Sequence, residues 1–132
     1  MISSEQIEQL IASAEDILIN AYAPYSQFKV GAAVLTKQGN IFTGCNVENV
    51  SYGLSVCAER NAIANAVANE GGKNLEIVAI AVANNRQIPC SPCGACRQVI
   101  QELGPEAVVI FRNESDWQTS AISKMLPQGF SF

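Results

Sequence analysis

Leu75-Glu76-Ile77-Val78-Ala79-Ile80-Ala81-Val82-Ala83 is the stretch on which the fold turns. It is almost uniformly apolar and lacks the alternation that leaves one face of a strand wet, so it reads as a strand buried on both faces. Such a strand needs a layer above it and a layer below. The residues that follow supply one layer. After a loop over residues 84–92, a helix is expected from about Cys93 to Leu103, stopped by Gly104-Pro105. Ala107 to Arg112 is then a second buried strand. Upstream, Cys57 to Asn69 is an alanine-rich helix with Ile63 and Val67 on one side, ending at Gly71-Gly72.

Further back, Lys29–Thr36 and Ile41–Asn46 are β-rich runs joined by Lys37-Gln38-Gly39-Asn40, a hairpin signal. Residues 4–21 recur as Ile7, Leu10, Ile11, Ala14, Leu18 and Ala21, the stripe of an amphipathic helix, with Ser3 and Gln6 placed for a capping box. Pro24 breaks that helix. The tail reads as a turn over residues 113–116, a short strand, and one helical turn near Ile122–Leu126. The expected fold is therefore α/β, a three-layer α/β/α domain over residues 1–132 with a mixed sheet of about five strands. Two of its helices serve as crossovers, and both begin where a strand has ended. Their N-termini are expected to meet at one edge of the sheet, the usual place for a ligand in such folds.

Composition narrows the function. The 132 residues are 48% hydrophobic and 15% charged, which suits a globular chain with a core. The net charge is −4, and the eight Lys and Arg are scattered, so no nucleic-acid partner is expected. No apolar run reaches the ~18 residues of a membrane span, and the acidic start does not resemble a signal peptide. Five cysteines with C-x-x-C spacing point to a reduced, cytoplasmic setting and to metal or redox chemistry.

There is no histidine, so the cysteines are the only soft metal donors. In Pro89-Cys90-Ser91-Pro92-Cys93-Gly94-Ala95-Cys96-Arg97-Gln98, Cys93 and Cys96 share one helical face. The positive end of the helix favours their thiolates. Cys57 as a third ligand leaves the fourth tetrahedral position to water, the arrangement of a catalytic zinc. Cys93/Cys96 is preferred over Cys90/Cys93 because Pro92 suits the first helical position, leaving Cys90 a loop thiol. Cys45 reads as a buried core thiol. A closed four-cysteine module with Cys90 as the fourth ligand stays open as a non-catalytic alternative. Glu59 lies two residues from Cys57, off its helical face, yet at a helix mouth its side chain can curl over the opening. Its plain alternative is a first-turn carboxylate facing the dipole. Arg60 and Arg97 are candidates to hydrogen-bond the sulfurs.

Cys57-Ala58-Glu59-Arg60 followed by Pro92-Cys93-Gly94-Ala95-Cys96 resembles the zinc deaminase signature in all-cysteine form. More closely, the chain resembles the small homotetrameric cytidine deaminases. Tyr22-Ala23-Pro24-Tyr25-Ser26, Phe28, Val30-Gly31-Ala32-Ala33 and Gly44-Cys45-Asn46-Val47-Glu48-Asn49 carry that likeness, with Leu126-Pro127 and Phe130 near the end. The resemblance implies a zinc-dependent enzyme that hydrolyses cytidine or 2′-deoxycytidine to the uridine and ammonia in pyrimidine salvage. It implies one zinc on Cys57, Cys93 and Cys96, with Glu59 as the proton shuttle. Asn46 and Glu48 would bind the ribose hydroxyls, Phe28 would pack on the pyrimidine, and the backbones of Ala58 and Cys93 would contact the base. It also implies a homotetramer in which Phe130 covers a neighbouring subunit's site, with Phe132 as the other choice of aromatic.

Overall fold

The structure, a computed structural model, describes residues 2–132. Its elements are α1 (Ser4–Leu18), β1 (Val30–Thr36), β2 (Ile41–Cys45), α2 (Ala58–Glu70), β3 (Ile77–Asn84), α3 (Gly94–Leu103), β4 (Val108–Arg112), β5 (Trp117–Ala121) and α4 (Ile122–Met125). A 3-10 turn at Tyr52–Leu54 precedes α2. The five strands run in the order β2-β1-β3-β4-β5. Only β3 and β4 pair in parallel, and the other neighbours are antiparallel, so the expected mixed sheet is present.

The central apolar run behaves as its composition requires. Alternate residues of β3 serve two cores. Ala79, Ala81 and Ala83 join Ala33, Leu35 and Ile110 beneath Leu10, Ala14 and Leu18 of α1. Ile80 and Val82 join Ala32, Val34 and Val109 on the opposite face, under Ala62, Ile63 and Ala66 of α2 and Ile100 of α3. Leu75 is buried but precedes β3, whose ladder with β1 begins where Ile77 meets Thr36, the last residue of β1.

α1 opens with the expected capping box: Gln6 N–H donates to Ser3 Oγ at 3.1 Å and Ser3 N–H to Gln6 Oε1 at 2.9 Å. It ends at Leu18, not Ala21. The chain is pulled out of helical geometry to pair elsewhere, Tyr22 N–H donating to Asn46 O at 3.0 Å and Glu48 N–H to Tyr22 O at 2.8 Å. Tertiary pairing here overrides a continuing helical period.

Two helices carry the site, and both are crossovers. α2 links β2 to β3 across β1, and α3 links β3 to its parallel neighbour β4. α2 is fastened to the edge strand by Asn61 Nδ2, which donates to Cys45 O at 2.8 Å, and by Asn65 Nδ2, which donates to Thr43 O at 3.2 Å. These bonds cover an edge that would otherwise be open to pairing. The approach is closest at Gly44, where a Cβ would collide with the backbone of Asn61 and Ala62. Cys45, expected in the core, is only half-buried because β2 is the edge strand.

Candidate active site

α2 and α3 present the same N-terminal geometry. Cys57 caps α2 with extended backbone (φ −71, ψ 153) and Cys93 caps α3 likewise (φ −67, ψ 169). Neither side chain makes the usual capping hydrogen bond. Both sulfurs are thus released from their own helices and turn toward each other. Pro92 consequently lies one position before the cap instead of taking the first helical position, which Gly94 occupies. Cys96 comes up from the first turn of α3, fully buried, while Cys93 is exposed and Cys57 half-buried.

The three sulfurs lie within 4.8 Å of one another. A tetrahedral zinc with Zn–S bonds of ~2.3 Å sets its sulfurs ~3.8 Å apart, so the triad fits that ion with small adjustment. Electrostatics favour a thiolate at Cys57. The Cys57 thiol falls to about 5, first through the hydrogen bond from Cys96 and then through Arg60. Cys96 is pushed up, because in the metal-free protein it supplies that hydrogen bond and is itself buried. Arg60 Nη2 lies 3.6 Å from Cys57 Sγ, and contact with the sulfurs raises the guanidinium's pKa further. Three thiolates around a dication leave a net charge of about −1, which Arg60 and two helix N-termini counter.

Glu59 stands in the same first turn and is 5% exposed. Among the described residues it is the one charged side chain in the buried class. Burial raises its pKa to about 7, with the neighbouring Cys57 thiolate adding to the rise. A carboxyl poised near neutrality can both take and give a proton. A cavity of ≈ 390 Å³ opens at Cys57, lined with it by Tyr25, Ser26, Asn46, Glu48, Tyr52, Ser55 and Val56. The cavity thus reaches from Cys57 of the sulfur triad to Asn46 and Glu48.

Residues 4–112 match the cytidine and deoxycytidylate deaminase zinc-binding region. The chain belongs to this family. A cytidine deaminase of Sporosarcina psychrophila is 42% identical over 95% of this chain and 91% of its own. One from Halalkalibacterium halodurans is 44% identical over 94% of this chain and 93% of its own. The crystal structure of cytidine deaminase from Burkholderia pseudomallei superposes with a TM-score of 0.84 at 44% identity, covering 98% of this chain and all (100%) of that one.

Within this deaminase framework the residues singled out from the sequence take different places. Cys57, Cys93, Cys96, Glu59 and Arg60 lie together, and Ala58 is buried in the turn between Cys57 and Glu59. Cys90 stays outside the sulfur triad, its N–H bonded to Arg112 O at 3.3 Å, and burial pushes its thiol up. Asn46 and Glu48 both line the cavity, but their polar atoms also hold its wall. Asn46 Oδ1 accepts Val30 N–H at 2.9 Å and its Nδ2 donates to Phe28 O at 2.9 Å. Glu48 accepts from Tyr25 N–H at 3.0 Å, Ser26 N–H at 3.2 Å and the Ser26 hydroxyl, and the hydroxyl above all holds its carboxyl below the usual range. Phe28 is half-buried against the core.

Two expectations need correction or qualification. Arg97 does not reach the sulfurs: its Nε donates to Pro92 O at 2.7 Å, Nη1 to Met125 O at 2.9 Å and Nη2 to Ser91 Oγ at 3.0 Å. The fork is occupied in pinning α3 to the loop before it and to α4. Phe130 is 67% exposed and does not line this cavity. Its backbone is held by Gln98 on α3, at 3.0 Å to Oε1 and 2.8 Å from Nε2. Tyr52, Ser55 and Val56 also line the cavity, and no motif or periodicity in the sequence singles them out.

Proposed function

We propose that this chain is a zinc-dependent deaminase of free cytidine and 2′-deoxycytidine, releasing ammonia and the uridine product. The carrying observation is the buried Glu59 next to Cys57, whose sulfur lies within 4.8 Å of those of Cys93 and Cys96 and which lines a cavity whose wall holds Asn46 and Glu48. Zinc, when bound, supplies the Lewis acidity that makes water a nucleophile at neutral pH. The rest of the chemistry belongs to the chain. Glu59 accepts the proton of the attacking water and delivers it to the ring nitrogen next to the amino-bearing carbon. As the new C–O bond becomes a carbonyl, Glu59 transfers the hydroxyl proton to the amine, the C–N bond breaks, and ammonia leaves. Glu48 and Asn46 orient the sugar hydroxyls, Phe28 packs on the base, and the backbones of Ala58 and Cys93 meet its polar edge.

The cavity lining contains no Lys or Arg and includes the Glu48 carboxylate, which disfavours a phosphate. Ammonia release should therefore be efficient with cytidine and deoxycytidine and at least about 100-fold lower in kcat/KM with cytidine 5′-monophosphate, a difference of roughly 2.7 kcal/mol. Equal efficiency on the monophosphate would refute the nucleoside reading.

The active form is a homotetramer in the cytoplasm, working in pyrimidine salvage, with residues 1–132 as one catalytic unit. No helix of the described residues is long and apolar enough to cross a membrane. Exposed Val50 (76%), Tyr52 (75%) and Leu54 (68%) beside the cavity, with Phe130 on the tail, support subunit association. In that assembly Phe130 covers a neighbour's site, a reading supported by its exposed ring, which meets Phe132 edge-on and stays out of its own cavity. Mixing chains that carry Glu59→Ala with chains that carry Phe130→Ala tests this. Exchanged subunits should exceed the averaged efficiency of the parents at low substrate, because some sites regain both groups. An average value, with exchange verified by mass spectrometry, would place Phe130 outside its neighbour's site.

A further inference from the structure

Arg86 lies outside the cavity, yet it ties the cavity's front wall to the loop that leads into Cys93. We propose that Arg86 is a positioning residue for nucleoside binding, holding the Ser26–Phe28 segment against Glu48 and so setting the affinity of the pocket. The proposal rests on the reading of the cavity as the nucleoside site.

The support begins at the end of β3. Asn84 is 5% exposed, and its carboxamide closes the loop that follows. Its Oδ1 accepts Arg86 N–H at 3.0 Å and Ile88 N–H at 3.2 Å, and its Nδ2 donates to Ile88 O at 2.9 Å. Gln87 takes a left-handed φ of 54, and its carbonyl accepts Arg112 Nε at 3.2 Å. A loop wound around one buried side chain has few alternative conformations, so the direction of Arg86 is fixed by its base.

Asn85 then grips the entry to β1. Its N–H donates to Lys29 O at 3.0 Å, its Oδ1 accepts Lys29 N–H at 3.0 Å, and its Nδ2 donates to Gln27 O at 3.3 Å. Arg86 completes the clasp. Its Nη2 donates to Ser26 O at 3.1 Å while the guanidinium carbon stands 5.3 Å from the centroid of the Phe28 ring. The planar fork lets one side chain bond a carbonyl and cover an aromatic face together, which a lysine ammonium does poorly. Among the described residues no carboxylate pairs with Arg86, so its charge is directed at this wall alone.

The wall is held equally from the cavity side. Ser26 gives its N–H and hydroxyl to Glu48, and the same hydroxyl accepts Phe28 N–H at 3.0 Å. Between them Gln27 adopts a left-handed φ of 58, a conformation that persists only when its neighbours enforce it. Asn85 and Asn46 hold the carbonyls of Gln27 and Phe28, so releasing Arg86 removes the anchor on the Ser26 carbonyl and the cover on the Phe28 ring. Ser26 and Phe28 then sample positions in which Glu48 and the ring are misaligned for the nucleoside, while the cysteines and Glu59 keep their places on α2 and α3.

The test uses zinc-loaded Arg86→Ala, Arg86→Met and Arg86→Lys with cytidine. In the Ala variant the KM should rise about tenfold, the order expected when a charge-assisted hydrogen bond and a cation–π contact are lost from a partly exposed site. The inhibition constant of uridine should rise in parallel, with kcat within about twofold and zinc content unchanged. The Met variant keeps a stem packed on Phe28 and loses only the donors and charge. It should behave like Ala, and it decides the matter should the Ala variant fold poorly. The Lys variant should recover part of the affinity. Wild-type KM in the Met variant, loss confined to cytidine 5′-monophosphate, or loss of zinc and kcat at constant KM would each overturn the proposal. Glu48→Gln separates the two levels. If it leaves the cytidine KM untouched, the nucleoside reading of the cavity falls, whereas a raised KM there with a normal one in the Arg86 variants removes the Arg86 role alone.

Discussion

Replacing Glu59 by Gln should leave zinc content and fold intact while lowering kcat on cytidine by about three to four orders of magnitude. General acid–base catalysis by one positioned group contributes roughly a hundred- to ten-thousand-fold, and here one carboxyl serves several proton transfers. Gln matches Glu in volume and fills the same buried site, so the loss cannot be assigned to packing. No second carboxylate stands ready to substitute, since among the described residues Glu59 alone is both charged and buried. A stability control accompanies the kinetics. Burial raises the Glu59 pKa to about 7 in the metal-free protein, above its unfolded value. Stability from this group is therefore present at low pH and lost as pH rises through about 7, where the folded chain must bury a carboxylate. Metal-free Glu59→Gln should accordingly melt no lower than the metal-free parent, with its advantage growing as pH rises from 4.5 to about 7 and level above it. Near-normal turnover in the Gln variant would reduce Glu59 to a charge at a helix end.

The zinc ligands were legible because donor chemistry is a composition problem. A chain without histidine has few ways to hold zinc, and Cys93 and Cys96 at one helix start narrow them further. The layered fold was legible for a similar reason, since a strand as uniformly apolar as Ile77–Ala83 needs cover on both faces. Directional features were not. Nothing in the spacing tells that Cys57 and Cys93 forgo capping, or that Pro92 stands outside α3. Arg60 and Arg97 look alike in sequence, each one residue after a site residue, yet one turns to a sulfur and the other to three oxygens. The end of α1 and the engagement of Asn46 depend on partners more than twenty or about sixteen residues away along the chain. Periodicity carries no information about such pairings.

The largest loss is expected from Cys93→Ala, which should abolish both bound zinc and activity, while Cys90→Ala keeps zinc and most of its turnover. Removing Cys93 leaves two sulfurs, and two protein ligands do not hold the ion against dialysis as three do. Cys93 is also the exposed member of the triad, so the opened position is filled by water and not by a neighbouring side chain. Cys90 differs in every relevant respect. It precedes the cap of α3 and lies outside the triad of sulfurs that face one another. Metal analysis after exhaustive dialysis should read about one zinc per chain for the parent and for Cys90→Ala, and close to none for Cys93→Ala. X-ray absorption of the zinc-loaded parent adds an independent measure, with three sulfur scatterers and one lighter atom expected. Four sulfurs, together with zinc loss in Cys90→Ala, would identify a closed structural site with no position left for water and would remove the hydrolytic mechanism with it.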